Sequence, residues 1–307
     1  MEKTQQELQF LGFFGIFKES FRIIFSKPKL FTQITLTFIL PLFIIFRLHH
    51  YLAYTFASKR LIHSILWELS CYLVILIPST LSISAVVCAV TFLYTAKDVT
   101  FKKITGMLPK IWKRVSITFA FSFAINFCYQ ILDERVRTSM VRLLVPLQDH
   151  ATSIINAKNI IGLIIVYLYL AVGVYISIIR RFATVISVIE DLSAIKAMIK
   201  SKNLIKCKIG VAFFMYFVFG NCFLVIGGRI NRVFSGSDGG HLDWRNGVGI
   251  SFLILLKPIL DLVAIVVGTV IYFSCKSHEV TMKVLTTQSH QMNFKSTWWS
   301  VLDPLTE

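Results

Sequence analysis

Two opposite charges set four residues apart inside an apolar run are the first candidates for chemistry. Lys257 and Asp261 stand in SFLILLKPILDLVAIVVG, beside Pro258. Their spacing puts both on one face of a helix. A charge inside a membrane helix is costly, and by default it marks a function. Here that would be a cation or proton site at a proline-disturbed helix. The other reading is a self-neutralising i,i+4 pair, with Lys257 snorkelling toward the nearer interface. No second acid in the other apolar runs offers a relay, which favours the pair.

The remaining reactive residues form no such constellation. The stretch GSDGGHLDWRNG carries Asp238, His241 and Asp243, but its glycines are those of an external loop. His49, His50 and His63 do not meet acids at ligand spacing, so no metal site is expected. The six cysteines include no CxxC pair, and most fall in or beside apolar runs as small fillers. Cys207 and Cys275 flank such runs, where palmitoylation would place a lipid. GxSxG, HExxH and P-loop signatures are all missing. The sequence therefore predicts no catalytic, cofactor-binding or metal site, and a protein that is not an enzyme. Asn126, Gln130 and Asn221 are single polar residues in apolar runs, suited to hydrogen bonds between helices.

The elements that position these residues are membrane helices. The 307 residues are 55% hydrophobic and 16% charged, with mean hydropathy +0.70. Soluble chains carry about 25% charged residues. Net charge is +16. Because the basic residues lie beside apolar runs, they suit anionic lipid headgroups rather than nucleic acid.

Three basic segments recur: Phe17–Lys29 (FKESFRIIFSKPK), Phe101–Arg114 (FKKITGMLPKIWKR) and Ile195–Lys208 (IKAMIKSKNLIKCK). Each opens on a bulky apolar residue followed by Lys. The intervals between them are 84 and 94 residues. In the third, Ile195, Met198, Ile199 and Ile205 fall at helical spacing, giving an oily side and a cationic side. The expected architecture is an all-α polytopic bundle of about six transmembrane helices with basic interfacial helices. Residues 1–29 form an amphipathic N-terminal segment, and 275–307 a polar tail. Between them the spans run over about 30–46, 72–95, 115–132, 159–179, 209–226 and 248–273, with Arg180 and Arg181 stopping the fourth. The third span is the weakest. No cleavable signal peptide is visible. Trp298 and Trp299 in the tail suit interface anchors.

Lys and Arg number 21 on the terminal side of this topology and 10 on the other. That bias places both termini in the cytoplasm, in an endomembrane or plasma-membrane protein. Lys102, Lys103, Lys196, Lys200, Lys202 and Lys206 are the expected contacts for membrane lipids with anionic headgroups.

Three stretches carry a family resemblance: GIFKESFRIIFSKPKLFTQITL, VTFKKITGMLPKIWKRV and VISVIEDLSAIKAMIKSKNLIKCKIGVAF. In these the chain resembles a plant family of uncharacterised multi-pass transmembrane proteins. The likeness extends to about residue 275. The family's usual Gly near Lys206 is Cys207 here. The last stretch is distantly similar to the membrane domain attached to bacterial glycerophosphodiester phosphodiesterases. That similarity implies six helical spans and no catalysis, since the enzymatic domain is separate. The expected function is membrane organisation through lipids, membrane-protein partners or self-association. The other class is a transporter or channel using Lys257 and Asp261.

Overall fold

The computed structural model describes residues 12–56, 61–95, 100–144, 157–190, 192–234 and 251–279. The loop with Asp238, His241 and Asp243 and the tail with Trp298 and Trp299 lie outside them, as does Asp191. Among the described residues every element is helical. Helix α1 covers Phe13–Ser26. After Lys27, α2 (Pro28–Ile34), a π-helical turn (Thr35–Ile39) and α3 (Leu40–Phe56) run on without a break. Next come α4 (Leu61–Tyr94), α5 (Phe101–Leu144), α6 (Ala157–Ile189) and α7 (Ala194–Ile205). A 3-10 turn (Lys206–Lys208) leads into α8 (Ile209–Phe234), and α9 spans Ser251–Glu279.

Five stretches are long and apolar enough to cross a membrane: Pro28–Leu48, Val74–Tyr94, Ala171–Ile189, Ala194–Ile230 and Ser251–Glu279. The chain is a multi-pass membrane protein, all-helical among the described residues. The stretch 194–230 would be about 55 Å long as one helix, against a hydrocarbon core of about 30 Å. Its five lysines all precede Ile209. The lysine-free apolar part of this stretch is α8.

The expected third span, 115–132, lies inside α5. The five were found among the described residues, and the side chains of 130 and 131 fall outside them. The buried face of this segment packs through polar groups. Val115, Thr118 and Ser122 are buried toward α6. The Thr118 hydroxyl shares a hydrogen bond with Ser187 Oγ at 2.8 Å, and Arg180 donates to the Ser122 carbonyl at 3.1 Å. Further along, the rings of Tyr129 and Tyr169 stack at 4.7 Å. Each phenol donates to the other residue's carbonyl, at 3.1 and 3.0 Å. This segment holds its neighbour through polar contacts along its helix-facing stripe.

Two sequence expectations change. Arg180 and Arg181 do not end the fourth helix, which runs on to Ile189. Phe182, Ala183, Val185, Ile186 and Val188 beyond them are all buried. Both arginines find partners inside the bundle: Arg180 on Ser122, and Arg181 over the Tyr216 ring at 5.4 Å. The second basic segment is also not a separate helix, since α5 passes through Pro109 without interruption.

The hydrophobic core sits at the end of the bundle where the basic segments meet. One cluster joins Ile16 and Ile23 of α1, Ile104 and Leu108 of α5, Ile186 of α6, and Leu204 and Ile205 of α7. Val266, Val270 and Tyr272 of α9 belong to it too. Away from that end, Ile44, Leu168, Phe217, Leu224 and Leu255 face outward, as lipid-facing residues do.

The first hairpin contains a paired defect. Pro41 lacks the N–H that would continue the α-helical ladder, and the π turn precedes it. Ser82 of α4 donates its hydroxyl to the Phe38 carbonyl at 2.9 Å and to its own Pro78 carbonyl at 2.7 Å. A serine thus supplies a hydrogen bond to a carbonyl beside the irregular turn, where water is absent.

The α5–α6 contact gives a direct test. A Cβ on Gly173 would stand 2.2 Å from Tyr129 Oη. Gly173→Ala should lower thermal stability in detergent by roughly 1–3 kcal/mol. Gly220, with nothing within 4 Å of its added carbon, should tolerate alanine without loss.

Candidate functional site

The basic end is built on the turn between α6 and α7. Glu190 follows the last residue of α6, and its N–H still bonds the Ile186 carbonyl at 2.7 Å. Its carboxylate takes Lys200 of α7 on Oε2 at 2.5 Å. Oε1 accepts from Lys276 Nζ and from Tyr272 Oη of α9, both at 2.7 Å. Lys276 also donates to the Tyr272 oxygen at 3.1 Å. Burial would push the Glu190 carboxyl up. Hydrogen bonds from Lys200, Lys276 and Tyr272, with the Lys276 charge, outweigh it and hold the group at about 2.

Helix α5 closes the turn from the other side. Arg114 donates through Nε to the Ser187 carbonyl at 2.6 Å and through Nη2 to Val188 at 3.3 Å. These carbonyls belong to the last turn of α6, where a cation is favoured. Thr118 Oγ1 accepts the Ala194 N–H at 2.8 Å. Ala194 has φ +48°, a left-handed conformation costing an L-residue roughly 1–2 kcal/mol. The Thr118 bond holds the chain there as α7 begins.

Helix α7 divides its four predicted oily residues. Ile205 is buried and Met198 packs against the core, whereas Ile195 and Ile199 are exposed, at 56% and 58%. Ala197, Ser201, Leu204 and Ile205 form the buried face. The small residues let α7 approach α6 closely, and Ser201 donates to the Ile179 carbonyl at 2.8 Å. What remains outside is a surface of Ile195, Ile199, Lys196 and Lys202.

The six predicted lipid contacts divide. Lys196, Lys202 and Lys206 are exposed. Lys200 is committed to Glu190. Lys196, Lys200 and Lys206 line one cavity of about 560 Å³ between α7 and the end of α9, together with Asn203, His278 and Glu279. Lys102 and Lys103 are exposed on the first turn of α5, outside that cavity, with Lys103 5.4 Å from the Phe92 ring centre.

Lys257 and Asp261 do meet, Nζ to Oδ2 at 2.6 Å, and Lys257 lies 4.4 Å from the Phe223 ring centre of α8. The pair is closed on itself, and the space between α8 and α9 that reaches Phe223 holds only about 60 Å³. Among the described residues no group of three or more His, Cys, Asp or Glu is placed to hold a metal ion.

Sequence reasoning missed Tyr272, Lys276, Arg114 and Thr118, and read Glu190 only as a turn acid. Their partners lie 69 to 86 residues away, beyond any local spacing. The one local signal was the i,i+4 spacing of Tyr272 and Lys276.

Two predictions follow from the ion pairs. Glu190 has a depressed pKa relative to about 4.3 in the unfolded chain. Its contribution is complete above that value and is lost as pH falls toward 2. Glu190→Gln should therefore destabilise by about 2 kcal/mol at neutral pH, with the gap to wild type closing as melts are run at successively lower pH. At the other pair, Asp261→Ala alone should cost roughly 1–3 kcal/mol, because it strands Lys257. Lys257→Met combined with Asp261→Leu should stay within about 1 kcal/mol of wild type.

Comparison with known proteins completes the description. Neither the curated proteins nor the solved structures contain a match to this chain. A family model does match it, over residues 1–65 and 53–285, which together cover the basic end and the nine helices found among the described residues. The chain belongs to the family described as a domain of unknown function, DUF8558.

Proposed function

We propose that this protein is a non-enzymatic organiser of its membrane, engaging anionic lipid headgroups through the basic end of the bundle. The observation that carries the reading is the convergence of the three basic segments on one hydrophobic cluster, with bulky apolar side chains left outside. Phe14, Phe25, Trp112, Ile195 and Ile199 are exposed at that end, among exposed lysines. Apolar side chains beside cations are the composition of a surface that seats itself at a headgroup boundary. In this reading α5 also crosses, giving six spans, and both termini face the cytoplasm, in line with the bias of Lys and Arg. Lys196, Lys202 and Lys206, with Lys102 and Lys103 on α5, contact the headgroups. Lys200 serves Glu190 instead. The family of plant multi-pass proteins fits the same picture, as does self-association or a membrane-protein partner on the outward apolar faces.

Transport through Lys257 and Asp261 has weaker support. The pair is neutralised within one helix, and the neighbouring space is small and mostly apolar.

The test is lipid binding by the purified full-length chain. Native mass spectrometry with phosphatidylglycerol and phosphatidylcholine should show retained anionic lipid and little zwitterionic lipid. Each well-placed lysine contributes about 1 kcal/mol. Lys196→Gln, Lys202→Gln and Lys206→Gln together should weaken anionic binding by roughly a hundredfold. Equal retention of the two lipids would sink the reading.

A further inference from the structure

The cavity at the basic end has two thiols in its wall. Cys207 sits in the 3-10 turn before α8 and is exposed. Cys275 sits near the end of α9 and is fully buried. They are 68 residues apart in the chain, yet they stand in the wall of the same cavity, and each thiol's ionisation is set by the other's side chain. The Cys207 thiol donates to the Leu204 carbonyl at 3.2 Å. Both residues line the cavity, so a small reagent entering it meets Cys207 first. The Cys275 side chain and the charge of Lys208 together outweigh burial and hold the Cys207 thiol at about 7. The full burial of Cys275 takes it out of contention for palmitoylation, since an acyl donor cannot reach it.

An exposed, cation-flanked thiol backed by a buried one is the arrangement of an attacking and a resolving cysteine. We propose that Cys207 and Cys275 form a thiol–disulfide modification site that takes small disulfide-bonded thiols, with Cys207 attacking and Cys275 resolving. The Cys207 thiolate attacks one sulfur of the small disulfide. The S–S bond breaks, and the first small thiolate leaves and takes up the proton that Cys207 released. Cys275 then loses its proton and attacks the Cys207 sulfur. The mixed disulfide breaks, and the second small thiolate departs with that proton. Two protein thiols are oxidised to one disulfide, and the small disulfide is reduced to two thiols. Excess small thiol reverses both steps. The bond ties the entrance of α8 to the end of α9 and fixes one wall of the cavity.

This site stands apart from the lipid reading and is tested separately. The full-length protein in detergent is exposed to oxidised glutathione, quenched with acid, digested and sequenced by mass spectrometry. The expected product is a Cys207–Cys275 disulfide, with Cys88, Cys128 and Cys222 still reduced. Cys275→Ser should accumulate a glutathione adduct on Cys207. Cys207→Ser should leave Cys275 unmodified. The wild-type result decides the matter even where a variant folds poorly. A stable glutathione adduct on wild-type Cys207, a cross-link to any other cysteine, or an unreacted Cys207 would each overturn the proposal.

Discussion

Glu190 ends α6 with a negative charge that Lys200, Lys276 and Tyr272 share. The chain carries +16 and draws its basic segments together at one end of the bundle. Cations gathered in that way repel one another unless an acid stands among them. Glu190 supplies the acid at the point where α6 stops, α7 begins and α9 passes. The turn itself depends on α5, because Arg114 takes the terminal carbonyls of α6 and Thr118 takes the Ala194 N–H. Four helices therefore rely on two residues at this junction, Glu190 after α6 and Ala194 at the start of α7, being held in place.

That arrangement also decides which lysines remain for other work. Lys200 and Lys276 are structural, although they carry the same charge as their neighbours. Lys196, Lys202 and Lys206 lie outside the ion pair and beside exposed isoleucines. A positive patch read only as a sum of charges would miss the distinction. The difference comes from where one carboxylate sits.

The sequence carries the helical class, the apolar runs and the basic segments in composition and period, and these are local properties. It also carries the Lys257–Asp261 pair, because both members lie on one turn of one helix. It misplaces the end of the fourth helix, because arginine is read as a membrane stop whether or not a partner awaits it. Here Ser122 and Tyr216 are those partners, contributed by α5 and α8. It leaves open which part of α7 meets α6: Ile205 is buried and Met198 packs on the core, Ile195 and Ile199 stay outside, and close packing selects Ala197 and Ser201 for contact. Small residues win that choice through geometry, which hydropathy does not register. Glu190 was unreadable as a hub because two of its three partners, Tyr272 and Lys276, arrive from a distant helix.

The irregular turn at Thr35–Ile39 and the proline in α4 belong together. Pro41 and Pro78 weaken the backbone ladders of neighbouring helices, and one serine hydroxyl, Ser82, reaches a carbonyl on each. A hydroxyl has one proton to give, so tightening one of these bonds slackens the other. The weak points of the two helices in the first hairpin are therefore tied to each other through one hydroxyl. A bilayer that grows thicker or thinner can then be followed by changing the tilt above them. The tightly packed basic end stays where it is, as the fixed foot of a leg that flexes at the knee.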